Sequence, residues 1–249
     1  MTYYKAIVSY DGTNYQGWQS QDHGNTIQDT IIRSYKNTFL SNITIAGASR
    51  TDSGVHALGQ VVGIDISLDL AEEKLIKILN DNLPKDILIK NLQKCPELFN
   101  PRKNVLQKTY HYDISLIKCS PFISRYCWYS GKDLDLIKLK SLPNVFKGTH
   151  DFRSFCTGDD AESTIRTIDE IEIDYFEDRI RFIIKGQGFL RYMIRRLVGS
   201  MIIVAAYPAL SRNNLIKALL EKNPQQNFLT APACGLTLIN IDYKNEYEI

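Results

Sequence analysis

Little in this sequence is arranged to grip a metal or to staple the chain. Five cysteines (Cys95, Cys119, Cys127, Cys156 and Cys234) are scattered through 249 residues without a CxxC pair. An odd, dispersed set excludes a disulfide framework and a zinc cluster, and reads as reduced thiols. The four histidines, His23, His56, His111 and His150, show no ligand spacing. Long apolar runs are missing too. The longest extends only from 197 to 210, well short of the roughly 20 residues a membrane-spanning helix needs. The opening stretch, MTYYKAIVSYDG, has no basic region followed by a long apolar one, so no signal peptide, transit peptide or lipid anchor is expected. An excess of one charge is lacking: 30 Lys+Arg face 28 Asp+Glu, a formal net charge of +2. Net charge therefore neither demands nor excludes a polyanionic partner, and the distribution of basic residues must decide. Nucleotide and hydrolase signatures are also missing. The sequence has no GxxxxGK[ST], HExxH or GxSxG, and no GxGxxG after a strand. Nothing calls for a metal or an organic cofactor.

What is present is an ordinary globular balance, 44% hydrophobic and 23% charged, with enough chain for a sizeable core. Residues 3–10 read as a strand ending in the turn pair Asp11-Gly12. Residues 26–40 read as a helix. Thr26 and Asp29 form a capping box with Asp in place of Glu, and Ile27, Ile31, Tyr35 and Phe39 line one buried stripe. Strands at 43–48 and 60–66, a helix at 70–83 and a strand at 86–92 complete a β-α-β-β-α-β order, the ferredoxin-like unit. The breaker Asn100-Pro101 opens a second half. It is predicted to hold a strand at 107–116, helices at 134–146, 189–206 and 211–221, strands at 165–175 and 179–185, and a closing strand at 236–243. The expected fold class is α+β. Two ferredoxin-like halves, 1–104 and 105–249, are predicted to share a mixed, mainly antiparallel sheet with an active-site cleft between them.

Three stretches carry chemistry. Residues 49–56, SRTDSGVH, open a connection that runs to about Gly59, longer and more polar than sheet closure needs. Asp52 lies two residues after Arg50, and a carboxylate beside a guanidinium stays ionised and able to act as nucleophile or base. The same residues also suit a capped turn and a solvated arginine. His56 reads as a structural donor rather than a proton shuttle. The second stretch, KTYHY at 108–112, puts Tyr110 and Tyr112 on one strand face. Either ring could stack on a base, and both are also ordinary sheet tyrosines. The third, KGQGFLRYMIRRLVGSM at 185–201, has an apolar helical stripe with Arg191 and Arg195 one turn apart on another side. Gly199 lies a further turn along, where a neighbour can approach closely. Such arginines can reach phosphates or a carboxylate, and they also make solvated basic faces.

Taken together these stretches resemble the tRNA pseudouridine synthase A family. The resemblance runs through YDGTNYQGWQSQ at 10–21, TIQ at 26–28, SRTDSGVHALGQVV at 49–62 and FNPR at 99–102. It continues through KTYHY, GTHDFRSFC at 148–156, GFLRYMIRRLVGSM at 188–201 and APACGLTL at 231–238. It implies an isomerase that converts uridine to pseudouridine in the anticodon stem-loop of tRNA, at tRNA positions 38, 39 and 40, without a cofactor or metal. Asp52 matches the family's nucleophile, and Arg195 the arginine that pairs with it. Tyr110 matches the tyrosine that packs on the target uracil, and Arg50 the arginine that helps displace the target base. The resemblance also implies a cytoplasmic homodimer, with one tRNA touching both subunits. Departures from the family pattern include FNPR for Phe-His-Ala-Arg and Ser49 for Gly. They leave open a paralogue with another RNA target, and a separate alternative reading is a non-catalytic RNA-binding module. A module has no need of an Asp52 and Arg195 pair. A third reading, a small-substrate hydrolase, needs a second carboxylate in the Asp52 loop, and the loop has none.

Overall fold

A computed structural model describes residues 2–22, 24–66, 68, 70–97, 99–158, 163–226 and 228–244. The first half runs β1 (Thr2–Tyr10), α1 (Ile27–Phe39), β2 (Thr44–Gly47), β3 (His56–Ile66), α2 (Glu72–Asn82) and β4 (Ile87–Lys94). Then come β5 (Val105–Ser115), β6 (Trp128–Tyr129), α3 (Leu136–Ser141), β7 (Gly148–Asp151), β8 (Ile165–Ile168), β9 (Glu170–Tyr175) and β10 (Arg179–Gly186). Two helices, α4 (Met193–Ala206) and α5 (Arg212–Glu221), precede the last strand, β11 (Leu236–Tyr243). The α+β class expected from the sequence is the one observed. Among the described residues no helix is long and apolar enough to cross a membrane. The chain divides into two compact units: Met1–Lys108 with Thr237–Ile249, and Thr109–Leu236.

In the first unit β1 lies between β3 and β4, both antiparallel to it, and β2 flanks β3. This is the β4-β1-β3-β2 order of a ferredoxin-like sheet. One face of β1 buries Tyr4, Ala6, Val8 and Tyr10. The other face holds a buried lysine: Lys5 is only 2% exposed, its ammonium lying 4.3 Å from the Tyr243 ring centre and 5.2 Å from that of Phe99. Helix α1 starts as expected. Thr26 Oγ1 accepts from the Asp29 backbone N–H at 3.1 Å and donates to Asp29 Oδ2 at 2.6 Å. Ile27, Ile31 and Tyr35 are buried, and each contributes about 1.5–3 kcal/mol, more than the few tenths that β-branched residues cost a helix. Packing therefore holds α1. Between Val8↔Gln60 and Tyr10↔Ala57 the β1–β3 register slips, a bulge at Leu58-Gly59. Strand β11 returns from the far end of the sequence and pairs in parallel with the start of β3, Thr237 opposite His56 and Leu238 opposite Ala57.

In the second unit β10 lies between β5 and β9, and β6 joins β5 in parallel. β7 and β8 form a separate antiparallel pair. Several boundaries differ from the sequence reading. The strand expected at 165–175 is two strands, β8 paired with β7 and β9 paired with β10, because the ladder partner changes at Asp169. The helix expected at 134–146 ends at Ser141, and Pro143 starts a 3-10 turn. The helix expected from 189 begins only at Met193, since Tyr192 adopts a left-handed conformation with φ 60°. Arg191 therefore precedes α4 and does not share a helical row with Arg195. Gly199 does sit at a close approach. A Cβ there would stand 2.0 Å from the Leu229 carbonyl oxygen.

Candidate active site

The connection between β2 and β3 occupies 48–55 and ends earlier than expected, because β3 already starts at His56. It is short, and it is held from two sides. On one side stands Gln60, fully buried, whose amide works like a strand edge. Its Nε2 donates to the Ser49 carbonyl at 2.7 Å, and its Oε1 accepts the Ser49 N–H at 3.1 Å. The Tyr10 and Thr51 hydroxyls meet at 2.8 Å, so Thr51 is tied to β1 as well. On the other side lies segment 12–18. Trp18 N–H donates to the Thr51 carbonyl at 3.1 Å. The Tyr15 carbonyl accepts from Gly54 N–H at 3.2 Å and from Ser53 Oγ at 3.1 Å. Inside the loop, Val55 N–H closes a turn on the Asp52 carbonyl at 3.1 Å.

The backbones of segment 12–18 and the loop touch, and two glycines allow it. At Gly12 a Cβ would stand 2.0 Å from the Val55 carbonyl oxygen. At Gly17, with φ +86°, it would stand 2.6 Å from that of Thr51. Tyr15 anchors the segment in turn, its hydroxyl donating to Asp86 Oδ1 at 2.6 Å. Burial, then that hydrogen bond, push the Tyr15 hydroxyl pKa well above the usual tyrosine value. The result is a loop whose residues on either side of Asp52 have fixed backbones. Asp52 itself is half-buried and Arg50 exposed. Buried His56 accepts the Gly12 N–H at Nδ1, 3.1 Å away, with Asp11 Oδ1 also at 3.1 Å. These contacts tie the start of β3 to the turn at Asp11-Gly12. Two cations reach the start of the loop. Arg102 Nε donates to the Gly47 carbonyl at 3.0 Å, and Lys108 Nζ to that of Ala48 at 2.8 Å.

The other two site candidates lie in the second unit. Tyr110, 5% exposed, meets Phe189 edge-to-face with ring centres 5.4 Å apart. Tyr112, two residues on, is fully buried and donates its hydroxyl to the Pro232 carbonyl at 2.7 Å. It is a core tyrosine, which leaves Tyr110 as the ring to consider. Arg195 is half-buried on α4. Its Nε donates to the Ala231 carbonyl at 2.7 Å, Ala231 N–H donates back to the Arg195 carbonyl at 3.1 Å, and the guanidinium lies 5.0 Å from the Tyr192 ring centre. These contacts set the plane of the guanidinium. The first unit thus brings Asp52 and Arg50 together on one loop, and the second carries Tyr110 and Arg195. Among the described residues no cluster of His, Cys, Asp and Glu could hold a metal ion; His23 lies outside them. Sequence reasoning missed Gln60 and the two glycines. The available signal was a polar residue inside the apolar run GQVVGI and the recurrence of Gly in YDGTNYQGW.

The family profile described as tRNA pseudouridine synthase matches residues 6–102 and 144–244. A tRNA pseudouridine synthase A from Thermodesulfovibrio yellowstonii is 38% identical over 251 residues, spanning 96% of this chain and 98% of its own. One from Pseudothermotoga lettingae is 35% identical over 246 residues, spanning 98% and 100%. One from Thermoanaerobacter sp. is 36% identical over 239 residues, spanning 95% and 98%.

Proposed function

Since this chain belongs to the tRNA pseudouridine synthase family, and so is an isomerase that makes pseudouridine in tRNA, we propose that Asp52 is its nucleophile and the anticodon stem-loop its target. The reaction breaks the bond from ribose C1′ to uracil N1, turns the base over, and joins C1′ to C5. No atom is gained or lost, so a single well-placed carboxylate can carry the central step. The observation that supports Asp52 is the way its loop is built. Ser49, Thr51, Ser53 and Gly54 are each held by named hydrogen bonds, while the Asp52 carboxyl stands half-buried at the centre. Fixed geometry of this kind is what positioning a nucleophile requires. Asp52 can attack C1′, or draw a proton in a glycal route, or add to uracil C6, and each route uses the same carboxylate.

The target uridine must leave the stack, at a cost of a few kcal/mol. Arg50, exposed on the same loop, offsets part of that cost through the RNA backbone. Tyr110 offsets more by packing on the uracil, a contact worth about 1–3 kcal/mol. Arg195, its plane set by Ala231, is the cation proposed to balance the Asp52 charge. The reading extends to tRNA positions 38, 39 and 40, to a homodimer in which one tRNA touches both subunits, and to the cytoplasm.

The test is to map pseudouridines in unmodified tRNA transcripts after incubation with the protein. Product at positions 38–40 is expected. Product confined to other positions would replace the proposed target, and no product in any tRNA would remove the reading. Tyr110 is checked by two variants. Tyr110→Ala is expected to lower kcat/KM about 10- to 150-fold, the range that 1–3 kcal/mol spans. Tyr110→Phe, which keeps the ring, should lose clearly less. Equal kcat/KM for both variants and the unaltered protein would remove Tyr110 from the site.

A further inference from the structure

The loop that carries Asp52 is entered through two carbonyls, those of Gly47 and Ala48, and each accepts from a cation. Arg102 has a second contact, from its terminal NH2 to Gln19 Oε1 at 3.4 Å. Lys108 is different. Among the described residues its ammonium makes one hydrogen bond, the 2.8 Å contact to Ala48, and has no carboxylate partner. The charge that acts on Lys108 is that of Arg102, just ahead of β5, and Arg102 in turn feels Arg50 on the loop; both are positive. Lys108 is half-buried there, and both arginines are exposed. Like charges so placed disfavour one another, and the sequence keeps them where they meet the backbone leading into Arg50 and Asp52.

We infer that Lys108 is a positioning residue for the isomerisation, its ammonium holding the Ala48 carbonyl so that Arg50 and Asp52 are presented in fixed register. The inference rests on the reading of Asp52 as nucleophile. A charge-assisted hydrogen bond is roughly twice as strong as a neutral one. Ala48 lies four residues before Asp52, and a shift of about 1 Å at a reacting group costs on the order of 10²-fold in rate. The ammonium itself is poised to be lost. Burial, and then the Arg102 charge, push its pKa down to about 8. Arg102 is itself lowered, by burial and then by Arg50. Since the Lys108 pKa is depressed, the charged form is present below about pH 8 and lost above it. The hold on Ala48 therefore weakens as the pH rises through that value.

The experiment is a profile of kcat/KM against pH from 6.5 to 9 for the unaltered protein, Lys108→Arg and Lys108→Met; kcat/KM reports groups of the free enzyme. The unaltered protein should show a descending limb with a midpoint near 8. Lys108→Arg stays charged throughout and should lack that limb, whatever its absolute rate. Lys108→Met should lack the limb too and lose about 10²-fold in kcat. A Lys108→Arg limb coincident with the original would overturn the inference. So would a Lys108→Met that raises KM while leaving kcat intact, because the ammonium would then grip RNA rather than the loop. If Lys108→Met does not fold, the Lys108→Arg profile decides alone. Asp52→Asn run in parallel separates the two claims. Turnover by that variant removes the nucleophile assignment, whereas its loss alongside an unchanged Lys108→Arg limb removes only the positioning role.

Discussion

Asp52→Asn is expected to abolish pseudouridine formation while leaving tRNA affinity within a few-fold of the original. The substitution is close to isosteric, and the named hydrogen bonds that hold Ser49, Thr51, Ser53 and Gly54 are made by groups other than the Asp52 carboxyl. Ser49 is held by Gln60, Thr51 by Tyr10 and Trp18, and Gly54 and Ser53 by Tyr15. The Val55 contact uses the Asp52 main-chain oxygen, which an amide side chain leaves in place. The loop should therefore keep its shape, and Arg50 its exposure to RNA. What disappears is the anion. A carboxamide neither attacks C1′ nor takes a proton, so the loss falls on the chemical step. A reduction in kcat of at least about 10³-fold is the expected scale for removing a nucleophile. Single-turnover formation of product with enzyme in excess measures the step, and a binding titration alongside measures affinity. Turnover within tenfold of the original would take the central role away from Asp52. A large loss of binding would assign Asp52 to RNA recognition instead.

The second large effect is expected at a glycine that faces the same loop. Gly12→Ala places a methyl group 2.0 Å from the Val55 carbonyl oxygen and 2.6 Å from its carbonyl carbon. Both are backbone atoms of the Asp52 loop, so no flexible side chain can turn away to make room. Either segment 12–18 or the loop must move, and each is fastened to the other by the Trp18 and Tyr15 hydrogen bonds. Overpacking of this kind costs roughly 1–3 kcal/mol and more where backbone must shift, so about 2–4 kcal/mol is expected here. In a chain of this size each kcal/mol lowers Tm by about 2–4 °C, so the melt should fall by about 5 °C or more. Activity should fall further than stability alone accounts for, because the displaced atoms lie three residues from Asp52. Gly188→Ala is the control: a Cβ there has nothing within 4 Å. Equal melting temperatures for the two variants would show that the loop and segment 12–18 do not pack as described.

These two positions show which parts of the molecule sequence reasoning could read. The Asp52 loop was legible because polar residues interrupt two apolar strands, a contrast visible within ten residues. Helix α1 was legible for the same reason: its cap and its stripe are local patterns. The bracing of the loop was not, since Gln60 looks like any polar residue at a strand position until its partner at Ser49 is known. The start of α4 was misplaced because a left-handed Tyr192 has no sequence signature; glycine or asparagine is the usual occupant of that conformation. The break at Asp169 was missed because β8 and β9 each read as good strands, and only their different partners separate them. Periodicity reports what a segment buries and says nothing of which strand it will meet.

The parallel pairing of β11 with β3 sets the order in which the protein can assemble. The unit that houses Asp52 takes its last strand from Thr237 onward, after the whole second unit has been synthesised. During translation the first hundred residues must wait with one sheet position vacant beside His56, while the later-made unit already has all its own strands. A fragment cut after Lys108 would lack that strand, and so would a chain stopped after α5. Nascent chains interrupted anywhere between the two segments thus leave the sheet beside the Asp52 loop one strand short.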